Sequence, residues 1–107
     1  MVMPGDILIV SAVPQEIAHF RVVAPAAVRC VVAGVGARSG QVVRRQLGQG
    51  SYRLVISAGF SGGLRPGFQV GDLVMASEVI ESASGSRREA AIPFGLNGMA
   101  SVGPFLT

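Results

Sequence analysis

The chain of 107 residues contains one cysteine, no tryptophan and no lysine, and these absences exclude several classes of protein. The single cysteine, Cys30, cannot form an internal disulfide, which excludes a disulfide framework. The nine basic residues are all arginines with only two adjacent pairs, and six aromatic residues offer no stacking platform, so we expect no nucleic-acid partner. No apolar run approaches the roughly 18 residues that cross a bilayer, and we expect no membrane partner.

Targeting, metal and cofactor motifs are also missing. The N-terminus, MVMPGD, lacks the positive segment of a secretory signal, so we expect a cytoplasmic protein. No paired histidines or cysteines, no GxxxxGK[ST] loop and no GxSxG elbow occur, so we expect neither a metal nor a cofactor. Gly34-Val35-Gly36 follows an apolar run, but Ser39 stands where the third glycine of a dinucleotide fingerprint would be.

The sequence does contain alternating strand and helix patterns. A nearly unbroken apolar run predicts a buried strand over Asp6–Val13, and Pro14 then opens a short helix that reaches Phe20. Residues 81–107 carry Ser, Gly and Pro with no sustained period, which predicts mostly loop with at most one short element. The other predicted elements are strands over Val28–Ala33, Tyr52–Ile56 and Val70–Ile80, and a helix over Ala37–Leu47 whose inner face is Gly36, Gly40, Val43 and Leu47. This order predicts an α/β fold with a mostly parallel sheet.

Three loops are predicted at the carboxyl ends of the strands, where open α/β sheets bind ligands. They cover Ser11–Glu16, Gly34–Arg38 and Gly59–Gly63. The third belongs to a glycine-rich segment, Ser57–Asp72, in which glycine permits positive φ and exposes backbone N–H groups. Together the loops offer the Glu16 carboxylate and small apolar walls, a combination that suits a flat ring with a few polar edges.

The segments ILIVSAVPQE, AGVG and SAGFSGGLRPGFQVGDLVMASEV occur in one order and spacing over about residues 6–80. They resemble the first half of the purine nucleoside phosphorylase and nucleosidase superfamily, near the methylthioadenosine/adenosylhomocysteine nucleosidases and the futalosine hydrolases. The resemblance implies a three-layer α/β sandwich around a mixed, mostly parallel, partly barrel-like sheet. It also implies cleavage of the N-glycosidic bond of a nucleoside, with water or phosphate as co-substrate, by a homo-oligomer.

The resemblance assigns roles to individual residues. Glu16 matches the glutamate that orients and deprotonates the attacking water, and a carboxylate suits the oxocarbenium-like sugar formed when the C–N bond breaks. Near a helix N-terminus, Glu16 is expected to stay ionised. The residues that match the surroundings of the sugar and base are Ala12, Val13, Val35, Phe60, Ser61 and Gly62.

Two departures from the superfamily affect the expected function. Phe60 stands where relatives often carry a serine that binds phosphate or sugar, which disfavours phosphorolysis, although Arg38 or Arg65 could supply a phosphate contact. The second half of the family, with its acid for the leaving base and its ribose-binding segment, is not matched. We therefore expect a single domain, residues 1–107, that is the N-terminal half of a nucleosidase for a purine or modified-purine nucleoside and is inactive alone. A nucleoside phosphorylase and a non-catalytic nucleoside-binding domain remain as alternatives.

Overall fold

The computed structural model of the chain describes residues 5–90 and 100–107. Its helical elements are a 3₁₀ turn over Pro14–Glu16 and the α-helices α1 (Ala18–Val23) and α2 (Ala37–Gln49). Its strands are β1 (Ile7–Ser11), β2 (Val28–Val32), β3 (Leu54–Ser57), β4 (Val74–Ile80), β5 (Arg87–Glu89) and β6 (Ser101–Leu106). The chain divides into two compact units, Met1–Gly62 and Gly63–Thr107, each with a three-stranded sheet.

The first unit contains a parallel sheet in the order β2-β1-β3. The central strand is β1, whose Ile9 lies opposite Cys30 of β2 and Ile56 of β3. The three strands are short runs rich in β-branched residues, which favour the pleated, covered surface of a sheet. Because the strands are parallel, their carboxyl ends meet at one edge, and the loops that follow them begin there.

The core of the first unit lies around β1 and the segments next to the sheet. Leu8 of β1, Ile17 ahead of α1 and Ala33 after β2 are its buried hydrophobic residues. The half-buried residues of α2 have the i, i+3, i+4, i+7 spacing of an amphipathic helix, and they are Ser39, Val42, Val43 and Gln46. This face is offset by about one residue from the predicted one, since Gly40 and Leu47 are exposed.

The second unit contains a mixed sheet in the order β5-β4-β6. Strand β4 pairs antiparallel with β5 and parallel with β6, with an irregularity between Ala76 and Glu78. Arg87 of β5 donates to the carboxylate of Glu78 of β4 at 2.9 Å. Across all described residues, no helix is long and apolar enough to cross a membrane.

The predicted α/β class and mostly parallel sheet are confirmed. The resemblance implies a partly barrel-like sheet. In the described part of the chain, the strands instead form two three-stranded sheets, and no barrel closes. Within residues 81–107, predicted to be mostly loop with at most one short element, the structure has β5 and β6. Residues 91–99 of that range lie outside the described residues.

Several predicted boundaries differ from the structure by a few residues, and two of the differences have clear local reasons. The helix predicted over Pro14–Phe20 is interrupted at Ile17, whose φ of −130° and ψ of −2° separate the 3₁₀ turn from α1. The strand predicted to begin at Val70 begins at Val74, because Gln69 and Asp72 close a turn ahead of it. In that turn the Asp72 carboxylate accepts the N–H of Gln69 at 2.9 Å, and the N–H of Asp72 donates to the Gln69 carbonyl at 3.0 Å.

Candidate active site

The carboxylate of Glu16 joins the loops that follow β1 and β3. Glu16 Oε1 accepts hydrogen bonds from the backbone N–H of Ala12 at 3.0 Å and of Val13 at 3.2 Å. Glu16 Oε2 accepts a hydrogen bond of 2.8 Å from the backbone N–H of Phe60, 44 residues further along the chain. We term these three bonds the carboxylate clamp. Since each carboxylate oxygen has two lone pairs, the clamp occupies both on Oε1 and leaves one on Oε2.

The sequence around Glu16 explains its position. Pro14 opens the 3₁₀ turn with a fixed φ, and Glu16 is the third residue of that turn. From there its side chain reaches back to the N–H of Val13, which precedes the turn, as a glutamate does in a capping box. Ile17 follows and is only 3% exposed, so its burial anchors the end of the turn in the core.

The carboxylate clamp keeps Glu16 ionised. The N–H of Phe60 lowers the pKa of Glu16 most, the N–H groups of Val13 and Ala12 lower it further, and partial burial opposes them. Hydrogen bonds to a charged form stabilise that form, so the carboxylate binds a proton less readily. The ionised state agrees with the expectation, but its cause is the clamp: the turn that ends at Glu16 has only three residues and no helix dipole of consequence.

A small cavity opens at the carboxyl ends of the same strands. Its volume is about 200 Å³, below the roughly 300–1,000 Å³ of pockets that enclose a drug-sized ligand. Its walls are small apolar groups and serine hydroxyls, contributed by Val10, Ser11, Ala12, Ala33, Gly34, Ser39, Val43 and Ser57. The cavity therefore has room for about one ring of a small molecule.

The predicted residues around the sugar and base occupy different parts of this edge. Ala12 and Val13 contact Glu16 through the clamp, and Ala12 also lines the cavity. Val35 follows the cavity residue Gly34 and is 76% exposed. The loop of Phe60, Ser61 and Gly62 is exposed, and it reaches Glu16 through the backbone N–H of Phe60.

The two arginines predicted as phosphate contacts fall in different units. Arg38 lies in the first turn of α2, in the first unit, and Arg65 lies in the second unit. Both are exposed. In the described part of the chain, no group of three or more His, Cys, Asp and Glu residues is placed to hold a metal ion.

Gly59 is a site residue whose role the sequence does not reveal. A Cβ at this position would overlap Oε2 of Glu16, so glycine leaves the space that the carboxylate fills. The only signal in the sequence is a glycine two residues after the end of β3, which favours the close approach of another group. The backbone donors of the clamp leave no signal at all, because every residue except proline carries an N–H.

Comparison with known protein families identifies the chain. A family model described as the phosphorylase superfamily matches residues 22–98, which is more than half of the chain. The chain belongs to the phosphorylase superfamily. Searches of curated proteins and of solved structures gave no significant match.

Membership of the phosphorylase superfamily confirms the resemblance and implies a nucleoside as the substrate. The matched range includes Val35, Phe60 and the loop that follows β3. It begins at residue 22, after Glu16, so the role of Glu16 depends on the geometry of the carboxylate clamp and on the resemblance of the first segment.

Proposed function

We propose that the chain carries the water-activating part of a nucleosidase, an enzyme that hydrolyses the N-glycosidic bond of a purine or modified-purine nucleoside. The observation that carries this proposal is the carboxylate clamp. It holds an ionised carboxylate at the carboxyl ends of β1 and β3, and one lone pair of Glu16 Oε2 accepts no hydrogen bond from the described residues. Ligands of open α/β sheets bind at this edge, so Glu16 lies where a nucleoside would bind.

In the proposed reaction, Glu16 acts as the general base. The bond between the sugar C1′ and the base nitrogen breaks, and the base leaves with the bonding electrons. Water adds to the oxocarbenium-like C1′ while Oε2 of Glu16 accepts its proton. A carboxylate with a lowered pKa is a weak base, but water that is bonding to a cationic carbon is strongly acidic, so a weak base suffices. The ionised carboxylate also stabilises the positive charge on the sugar.

The same edge supplies the proposed walls of the substrate site. Ala12 and Val13 would lie beside the sugar, and Val35 would form an apolar wall. The loop from Phe60 to Gly62 would lie under the sugar and base. The cavity of about 200 Å³ supports a site that holds part of the nucleoside in this unit, with the remaining contacts supplied from elsewhere.

Protonation of the leaving base requires an acid besides Glu16. The acidic residues of the first unit, among those described, are Asp6 and Glu16. Asp6 precedes β1, at the opposite end of the strand from Glu16, and its Oδ2 lies 4.0 Å from Nη1 of Arg53. The first unit therefore does not supply this acid. Because the resemblance covers only the first half of the superfamily, we propose that the chain is the N-terminal half of the complete domain and that the acid and the ribose-binding residues lie in the other half.

The test measures release of free base from purine nucleosides, with and without inorganic phosphate, by the 107-residue chain and by the complete natural protein. We expect release by the complete protein without phosphate, no release by the 107-residue chain, and release about 100- to 10,000-fold slower in Glu16→Gln. Glu81→Gln, which removes an exposed carboxylate of the second unit, is the control and should keep the wild-type rate. Release that requires phosphate would instead assign a phosphorylase, and binding without release by the complete protein would assign a binding domain.

A further inference from the structure

Gly59 lies between β3 and Phe60, whose N–H completes the carboxylate clamp. A Cβ built on Gly59 would overlap Oε2 of Glu16, and it would lie 2.9 Å from Cδ and 3.2 Å from Oε1 of the same carboxylate. These are the three atoms nearest to that position. The carboxylate therefore occupies the space that a side chain at position 59 would take.

The backbone at Gly59 does not itself require glycine. Its φ lies outside the positive range that L-residues avoid, whereas Gly67 in the following loop has a φ of 100°. Alanine would therefore meet no penalty from a positive φ at this position. The consequence of adding a Cβ is thus a steric conflict with the Glu16 carboxylate.

We propose that Gly59 is a positioning residue whose missing side chain makes room for the Glu16 carboxylate and directs Oε2 toward the reacting water. Its effect on the reaction rate rests on the proposed nucleosidase function. Since the carboxylate ends a flexible side chain, a methyl group at position 59 displaces the carboxylate instead of unfolding the loop. The displacement breaks the bond to the N–H of Phe60 and moves the unoccupied lone pair of Oε2.

The first test measures the position of the carboxylate without any reaction. In the 107-residue chain with ¹³C-labelled glutamate, the carboxyl resonance of Glu16 is titrated. We expect the Gly59→Ala variant to raise the pKa of Glu16 toward its ordinary value, because the N–H of Phe60 is the largest cause of its lowering. Gly48→Ala in α2 is the matched control, because position 48 has an ordinary φ and open space, and it should leave this pKa unchanged. An unchanged pKa in Gly59→Ala would overturn the proposal.

The second test measures base release by the complete natural protein. Misplacing a reacting group by about 1 Å costs on the order of 100-fold in rate, so we expect Gly59→Ala to lower kcat by about that factor while Gly48→Ala keeps it. In a Glu16→Ala background, Gly59→Ala should have no further effect, because the two residues act as one unit. Equal losses with and without the carboxylate would overturn the proposal. If Gly59→Ala raises the pKa of Glu16 but Glu16→Gln keeps full activity, then Gly59 does position the carboxylate, and the proposed nucleosidase mechanism is wrong.

Discussion

At the scale of single residues, Glu16 combines a local role with a long-range one. Its bond to the N–H of Val13 closes the turn from which it projects, as many capping glutamates do. Its bond to the N–H of Phe60 reaches a loop that follows a neighbouring strand, and capping does not require that contact. The second bond is shorter and has the larger effect on the pKa of Glu16. We therefore attribute the arrangement to the site and not to the turn alone.

The lowered pKa of Glu16 predicts how stability depends on pH. The unfolded chain binds a proton at this carboxyl more readily than the folded chain does. The stabilisation is therefore complete above the unfolded pKa of about 4.3, and it is lost as the pH falls through the lower, folded pKa. In thermal unfolding from pH 7 to pH 3, we expect Glu16→Gln to have a lower Tm than the wild type at neutral pH and the difference to shrink in acid.

The shrinking difference has a direct physical reason, because a protonated glutamate and a glutamine have nearly the same shape and charge. Glu81→Gln controls for the removal of a carboxylate as such, since Glu81 is exposed and lies in the second unit. A Tm difference between wild type and Glu16→Gln that stays constant down to pH 3 would contradict the clamp as its source.

At the scale of elements, the apolar runs predict the strands and their order because burial fixes the pattern. The run around Leu8 predicts a covered strand, and the structure has β1 there. The elements at 87–89 and 101–106 could not be predicted, since pairing with β4 and not an apolar period makes them strands. Glu16 is a predicted site residue because its segment resembles the superfamily and because it follows a strand. The cross-loop bond from Phe60 could not be predicted, because a backbone donor has no side-chain signature.

Helix α2 provides a prediction about glycine in two settings. Gly40 lies inside the helix with open space around it, so Gly40→Ala should stabilise the chain by about 0.5–1 kcal/mol through helix propensity. Gly36 precedes the helix with a φ of 81° and a ψ of −157°, a region essentially restricted to glycine. Gly36→Ala should therefore cost about 1–3 kcal/mol. Urea unfolding of both variants measures the two effects, and a shift of the same sign in both would contradict this assignment.

At the scale of the whole molecule, the segment from Gly59 to Leu73 connects the two units. Every residue in it is exposed, and it contains no helix or strand. Its exposed apolar side chains include Phe60 at 79% and Leu64 at 78%. The boundary between the compact units falls within it, after Gly62. A connection of this kind is the place where a protease gains access to the backbone.

We expect limited digestion with chymotrypsin to cut this connecting segment first, after Phe60 or Leu64, and to release two fragments that correspond to the two units. Phe20, by contrast, is 38% exposed but lies in α1, where helical hydrogen bonds hold its backbone. Trypsin serves as the control, because Pro66 follows Arg65 and protects that bond from cleavage. Mass spectrometry of the earliest fragments shows which bond is cut first. A first cut in α1 would contradict the prediction that the connecting segment is cut first.

The separation of Glu16 and Phe60 along the chain also determines when the carboxylate clamp can form during synthesis. The ribosome adds 44 residues after Glu16 before the donor that completes the clamp exists. Until β3 emerges and pairs with β1, the carboxylate has only its local partners, Ala12 and Val13. Contacts between residues so far apart form slowly, because closing the loop between them costs conformational entropy before the contact is made. The complete carboxylate clamp of Glu16 is thus acquired only when the last strand of its sheet has docked, so a nascent chain remains without it until then.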